Sequence, residues 1–109
     1  MEVDARMLKY TLHLYVSGNS PRSLHAASNL RRICEKHLHA SYEIVLIDVV
    51  AQPDLAESAH ILATPTTIRT APLPSYRVIG DLSDHGKVMM ALGLDLGDRG
   101  NRPEQESLS

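Results

Sequence analysis

Along residues 8–16, LKYTLHLYV, apolar and polar positions alternate: Leu8, Tyr10, Leu12, Leu14 and Val16 against Lys9, Thr11, His13 and Tyr15. A period of two with one apolar face predicts a strand. Ser17-Gly18-Asn19 then reads as a turn, and Ser20-Pro21 as a helix start. The Ser20 hydroxyl can cap, and the missing N–H of Pro21 has no partner to lose at the first helical position. Leu24, Ala27, Leu30, Cys34 and Leu38 follow at three- and four-residue spacing. They predict one face of an amphipathic helix running to about residue 39. Residues 43–50, EIVLIDVV, are apolar on both alternating faces apart from Glu43 and Asp48. That pattern predicts a strand buried on both sides in the middle of a sheet. Strand, long helix, strand is a βαβ unit, so these two strands should run parallel.

The second half is built from shorter pieces. Pro53 opens a helix predicted over 53–62, with Asp54 and Glu57 near the positive end of its dipole. Thr64, before Pro65, is held extended. The β-branched run at 66–70 predicts a strand, broken by Pro72-Leu73-Pro74 and followed by a second short strand at 76–79. After Gly80-Asp81, Ser83 is expected to cap a last helix that stops near Gly93. The order β-α-β-α-β-β-α, parallel strands and then a hairpin, predicts an α/β fold of thioredoxin-like type with a mixed sheet and a cis Pro65 before the third strand. The domain is expected over residues 7–96. The polar, Gly/Pro-punctuated stretch 97–109 is expected to be a disordered tail.

Composition narrows the function. A chain of 109 residues with 43% hydrophobic and 22% charged residues suits one globular domain. A formal net charge of -2 argues against nucleic acid as a partner. No apolar run is long enough for a membrane helix, and the acidic start MEVDARMLKY lacks a signal-peptide pattern, so a cytoplasmic protein is expected. The single cysteine rules out an internal disulfide, and without Trp or Phe the core must be largely aliphatic.

A redox enzyme on this fold needs a low-pKa thiolate at the start of the first long helix. Here that stretch is Gly18-Asn19-Ser20-Pro21-Arg22-Ser23, without Cys. Cys34 lies about four turns further on, on the apolar face, and reads as a small buried hydrophobe. Ser20 has no base nearby in sequence and reads as a cap, not a nucleophile. His37 and His39 project about 200° apart on a helix and cannot share a metal ion, and the other histidines are isolated. Asp48, polar in an apolar strand, reads as an end-of-strand carboxylate that accepts loop N–H groups. No cofactor, metal or catalytic residue is therefore expected, and a binding module remains.

Several segments together resemble the KaiB family of bacterial clock proteins. Leu12-His13-Leu14-Tyr15-Val16-Ser17-Gly18-Asn19-Ser20-Pro21 is similar to its LKLYVAGNTP, Ile47-Asp48-Val49 to IDV, and Pro53-Asp54-Leu55-Ala56-Glu57 to NPQLAE. Ile61-Leu62-Ala63-Thr64-Pro65-Thr66 matches ILATPT, and Ile79-Gly80-Asp81-Leu82-Ser83 matches IGDLS. The resemblance implies a non-enzymatic regulator that binds the ATPase ring of KaiC, a hexameric ATPase and autokinase, and modulates its phosphorylation. A SasA-like histidine kinase would be its competitor. The resemblance also implies two folds of the second half: a thioredoxin-like monomer and a dimeric or tetrameric ground form. It places Arg69, expected on a short exposed strand, at the partner surface; Asn19 and Arg22, at the mouth of the first helix, are expected on the same surface from their position. Ala91 stands where the family has glycine. The rival expectation is a thioredoxin-like stress adaptor or redox protein with another partner.

Overall fold

The computed structural model describes residues 9–38 and 41–94. Its elements are β1 (Tyr10–Val16), α1 (Pro21–His37), β2 (Tyr42–Asp48), α2 (Pro53–Ser58), β3 (Thr66–Ala71), β4 (Tyr76–Ile79) and α3 (His85–Leu92). This is the predicted α/β order. The four strands form one mixed sheet in the order β2-β1-β3-β4. β1 runs parallel to β2, from Tyr10 opposite Tyr42 to Val16 opposite Asp48, and antiparallel to β3. β3 and β4 close the sheet as a hairpin. His39, the 97–109 tail and the outer ends of the 7–96 domain lie outside the described residues.

Side chains alternate across β1, and the two faces are covered unequally. Tyr10, Leu12, Leu14 and Val16 face the main core, made with Ala26, Leu30, Ile33 and Cys34 of α1 and Val88 and Leu92 of α3. The other face carries a smaller cluster of Tyr15, Ile47 and Ile68, with Val45, Val49, Ala59 and Ile61 packed against it.

Four local expectations need correction. β2 is an edge strand, not a central one, and Leu46 is 57% exposed. β1 takes the centre because its second edge pairs with β3. On α1 the buried face is Ser23, Ala26, Leu30, Ile33 and Cys34, while Leu24 is exposed. Ser23 takes the inner position because its hydroxyl accepts from Ser17 N at 3.1 Å. The helix from Pro53 ends at Ser58, short of the predicted 62: His60 adopts a left-handed φ of 57°, and Ile61 turns back to pack on the smaller cluster. α3 is capped by Asp84, not Ser83, its carboxylate accepting from Lys87 N at 3.1 Å. Gly93 ends α3 in the left-handed conformation (φ 64°) that glycine tolerates best, as the pattern predicts.

Candidate functional site

The loops at the C-terminal end of β1 expose Asn19 and Arg22, two of the candidate residues. Ser17-Gly18-Asn19 turns the chain and Ser20 caps α1, its hydroxyl oxygen accepting from Ser23 N at 3.3 Å with Pro21 in the first turn. Ser20 Oγ also donates to Ser23 Oγ at 2.9 Å. Across the turn, the Thr64–Pro65 peptide is cis, and Thr64 Oγ1 donates to Ser17 Oγ at 3.2 Å. Asp48 ties the same corner from β2: one carboxylate oxygen accepts from Gly18 N and from Val50 N, both at 3.0 Å. These backbone bonds, that of Gly18 first, hold its pKa below the ordinary carboxylate value. This is the loop-tying role that its place in the strand predicts.

The corner is a network of hydroxyls, backbone amides and the Asp48 carboxylate, and among the described residues it holds no hydrogen-bonded nucleophile–base pair. Among the described residues no imidazole or carboxylate is hydrogen-bonded to Ser17, Ser20 or Ser23. The one thiol is remote from it. Cys34 is fully buried in the main core, and burial, with Glu35 beside it, pushes its pKa up to about 12. A thiol so poised carries almost no thiolate at neutral pH and cannot start disulfide exchange. No group of three or more His, Cys, Asp or Glu able to hold a metal ion occurs among the described residues. Among the same residues no helix is long and apolar enough to cross a membrane.

Asn19, Arg22 and Arg69 do not form one patch. Asn19 and Arg22 are exposed at the corner just described, and Arg22 lines a shallow groove with Ile79, Gly80 and Lys87. Arg69 lies beside Tyr10 at the start of β1, a strand's length of about 20 Å away. It is also not on an exposed strand: it is only 3% exposed. Its guanidinium lies 5.4 Å from the centre of the Tyr10 ring and 4.9 Å from that of Tyr76. Nε donates to Pro72 O at 2.9 Å, and Nη1 donates to Leu92 O and Gly93 O at 3.0 and 3.1 Å. A basic residue in a β-branched run reads from sequence as solvated. The signal for burial was the pair of tyrosines, Tyr10 and Tyr76, which only the register of β1, β3 and β4 brings to either side of it. Ala91 is exposed in the last turn of α3.

The KaiB domain model matches residues 13–94, which include the whole corner. The chain belongs to the KaiB family. It is 51% identical over 87 residues to the "Circadian clock oscillator protein KaiB" of Prochlorococcus marinus (strain MIT 9312), a match covering 80% of this chain and 81% of that one. Among solved structures it is similar to the N-terminal domain of Synechococcus elongatus SasA, with a TM-score of 0.68, 23% identity, and 93% and 90% of the two chains covered. It is also similar to mitochondrial thioredoxin 3 from Saccharomyces cerevisiae, with a TM-score of 0.63, 13% identity, and 82% and 81% covered. At these identities the structural likenesses speak for the thioredoxin-like fold alone. Within that fold this KaiB-family chain carries Asn19-Ser20-Pro21-Arg22 at the start of α1.

Proposed function

We propose that this chain is a non-enzymatic, cytoplasmic clock regulator that binds the ATPase ring of a KaiC-like hexamer and modulates its phosphorylation cycle. The observation that carries the reading is the family match over residues 13–94, borne on a fold whose helix start has no thiol and whose one cysteine is buried. Asn19 and Arg22, exposed at the α1 corner, are the proposed contacts. A covered Arg69 reaches a partner only when the end of α3 lifts away from it. In the thioredoxin-like form the chain acts as a monomer and competes with a SasA-like kinase for the same ring. A dimeric or tetrameric ground form with a rearranged second half is its proposed counterpart.

Size-exclusion chromatography of the full chain with a KaiC-like hexamer, with and without ATP, tests this reading. Co-elution that Arg22→Ala weakens, together with an altered time course of hexamer phosphorylation, is the expected result. Absence of co-elution under every nucleotide condition overturns it. So does robust insulin reduction by the chain at neutral pH, which belongs to a redox protein.

A further inference from the structure

The side of the molecule built by α2 carries a groove of about 320 Å³, lined by Val49, Pro53, Ala56, Ile61 and Leu62. Its polar lining, Ser17 and Thr64, is already satisfied, since the two hydroxyls bond each other. Of its lining, Leu62 is 94% exposed, and the same stretch of chain also leaves Val50 (73%) and Leu55 (39%) in water. Scattered single leucines need no explanation, but an exposed Leu62 on the wall of a groove that also holds Val49, Ala56 and Ile61 marks a candidate interaction surface.

The segment that builds most of the groove carries carboxylates and, apart from His60, no basic side chain. From Asp48 to Ile68 the chain contains no Lys or Arg. Glu57 follows Ala56 and stands a helical turn after Pro53, which puts it on the groove side of α2, with Asp54 next to Pro53. Neither carboxylate has a hydrogen bond or ion pair among the described residues. Asp48, at the Gly18 end, is held ionised by the N–H groups of Gly18 and Val50. Arg77, the cation that reaches this segment from β4, is committed to the carbonyls of Ala59 and His60.

We infer that this groove is a docking site for an extended segment of a partner protein that inserts a large apolar side chain and sets Lys or Arg beside it. The apolar insert fills the groove against Ala56 and Leu62, and the flanking cations meet Asp54 and Glu57. The surface needs only the fold, not the clock reading, and it lies apart from the groove lined by Arg22.

Two synthetic dodecapeptides test it, each with a central Leu-Ile pair, one flanked by Lys and Arg and the other by Glu. Each is titrated into the ¹⁵N-labelled full chain and followed by amide shifts. The basic peptide should shift Ser17, Val49, Ala56 and residues 61–64 and bind about tenfold tighter than the acidic one, with the preference falling as salt is raised. Leu62→Ser, at a position too exposed to trouble folding, should weaken it at least about fivefold. Glu57→Lys should erase most of the preference between the peptides. Equal binding of both peptides, no shift at millimolar peptide, or shifts elsewhere on the molecule overturn the inference. Dilution of the chain alone moving the same amides would also overturn it, by making a second copy the occupant.

Discussion

Arg69 on β3 and Arg77 on β4 project to opposite faces of the sheet, and each guanidinium holds the C-terminal carbonyls of the helix on its own face. Arg69 donates to Leu92 O and Gly93 O at the end of α3, and Arg77 donates to Ala59 O at 2.9 Å and His60 O at 3.2 Å at the end of α2. The opposition follows from register: Arg69 pairs with Tyr76, and Arg77 with Ile68. A helix leaves its last carbonyls unpaired at the negative end of its dipole, which is where a guanidinium stabilises most. One hairpin therefore fastens both short helices of the second half.

The two fastenings differ in burial, and their removal should differ accordingly. Arg69→Ala removes a buried guanidinium together with its hydrogen bonds and ring contacts and leaves the α3 carbonyls without that donor. A loss of about 2–4 kcal/mol is expected in urea unfolding. Arg69→Lys should recover only part of it, because an ammonium lacks the planar fork that reaches Pro72 and α3 together. Arg77→Ala, in an exposed setting, should cost no more than about 1 kcal/mol. Its effect should appear as faster amide exchange around residues 59–61. Equal losses for the two alanine variants would show that burial does not set the difference.

Asp48 gives the chain an acid-side stability limit. Its folded pKa lies below the ordinary carboxylate value, because Gly18 and then Val50 donate backbone N–H groups to it. A depressed folded pKa means that the unfolded chain takes up the proton first as pH falls. The contribution is complete above the unfolded pKa of about 3.9 and is lost as pH falls through the folded value. Denaturant midpoints should therefore fall below about pH 4 in the parent. Asp48→Asn should show a flatter profile over the same range.

How much of this was legible beforehand depends on range. Local signals worked: the alternation of β1, the Ser20-Pro21 start of α1, the β-branched β3 and the Gly93 stop all recur in the structure. What failed was decided at a distance. EIVLIDVV reads as a central strand because both its faces are apolar, yet strand order depends on which edge of β1 the hairpin takes. Residues 59–62 have ordinary helical composition, but Ala59 and Ile61 are drawn onto the face of Tyr15, Ile47 and Ile68. Arg69 reads as a surface charge because Tyr10 is distant in sequence and Tyr76 comes beside it only through the register of the β3–β4 hairpin. The Ser20 cap and the Ser17-Gly18-Asn19 turn were legible because each acts on its own backbone neighbourhood, whereas the cis Pro65 followed from the order of the elements.

Thr67 is buried on β3 between Leu14 and Val78, and its hydroxyl oxygen has no hydrogen-bond partner. An unpaired buried hydroxyl costs about 1–3 kcal/mol in lost hydration. Thr67→Val keeps the β-branched shape and removes the oxygen. A gain of about 1 kcal/mol in urea unfolding is expected. A loss of stability would reveal an ordered water on that oxygen.

α3 is the element on which the thioredoxin-like form of the second half leans. Its helical propensity is balanced between two positions, Gly86 and Ala91, and both can be changed without touching the core. Gly86 lies in the first turn, and a Cβ there would meet nothing nearer than the Asp84 carboxylate at 3.7 Å, an ordinary contact. Gly86→Ala should therefore stabilise α3 by about 0.5–1 kcal/mol, chiefly by narrowing the unfolded ensemble. Ala91 is exposed in the last turn, so Ala91→Gly removes propensity and no packing, at about 1 kcal/mol. The Asp84 cap, the Gly93 stop and the Arg69 clamp stay in place in both variants. If the chain exchanges between this form and one in which residues 85–92 are not helical, the same energies become population ratios, about fivefold for 1 kcal/mol. NMR secondary shifts of residues 85–92 should then become more helical with Gly86→Ala and less so with Ala91→Gly. If both variants leave the shifts unchanged and move only the urea midpoint, α3 unfolds together with the rest of the chain and has no separate equilibrium of its own.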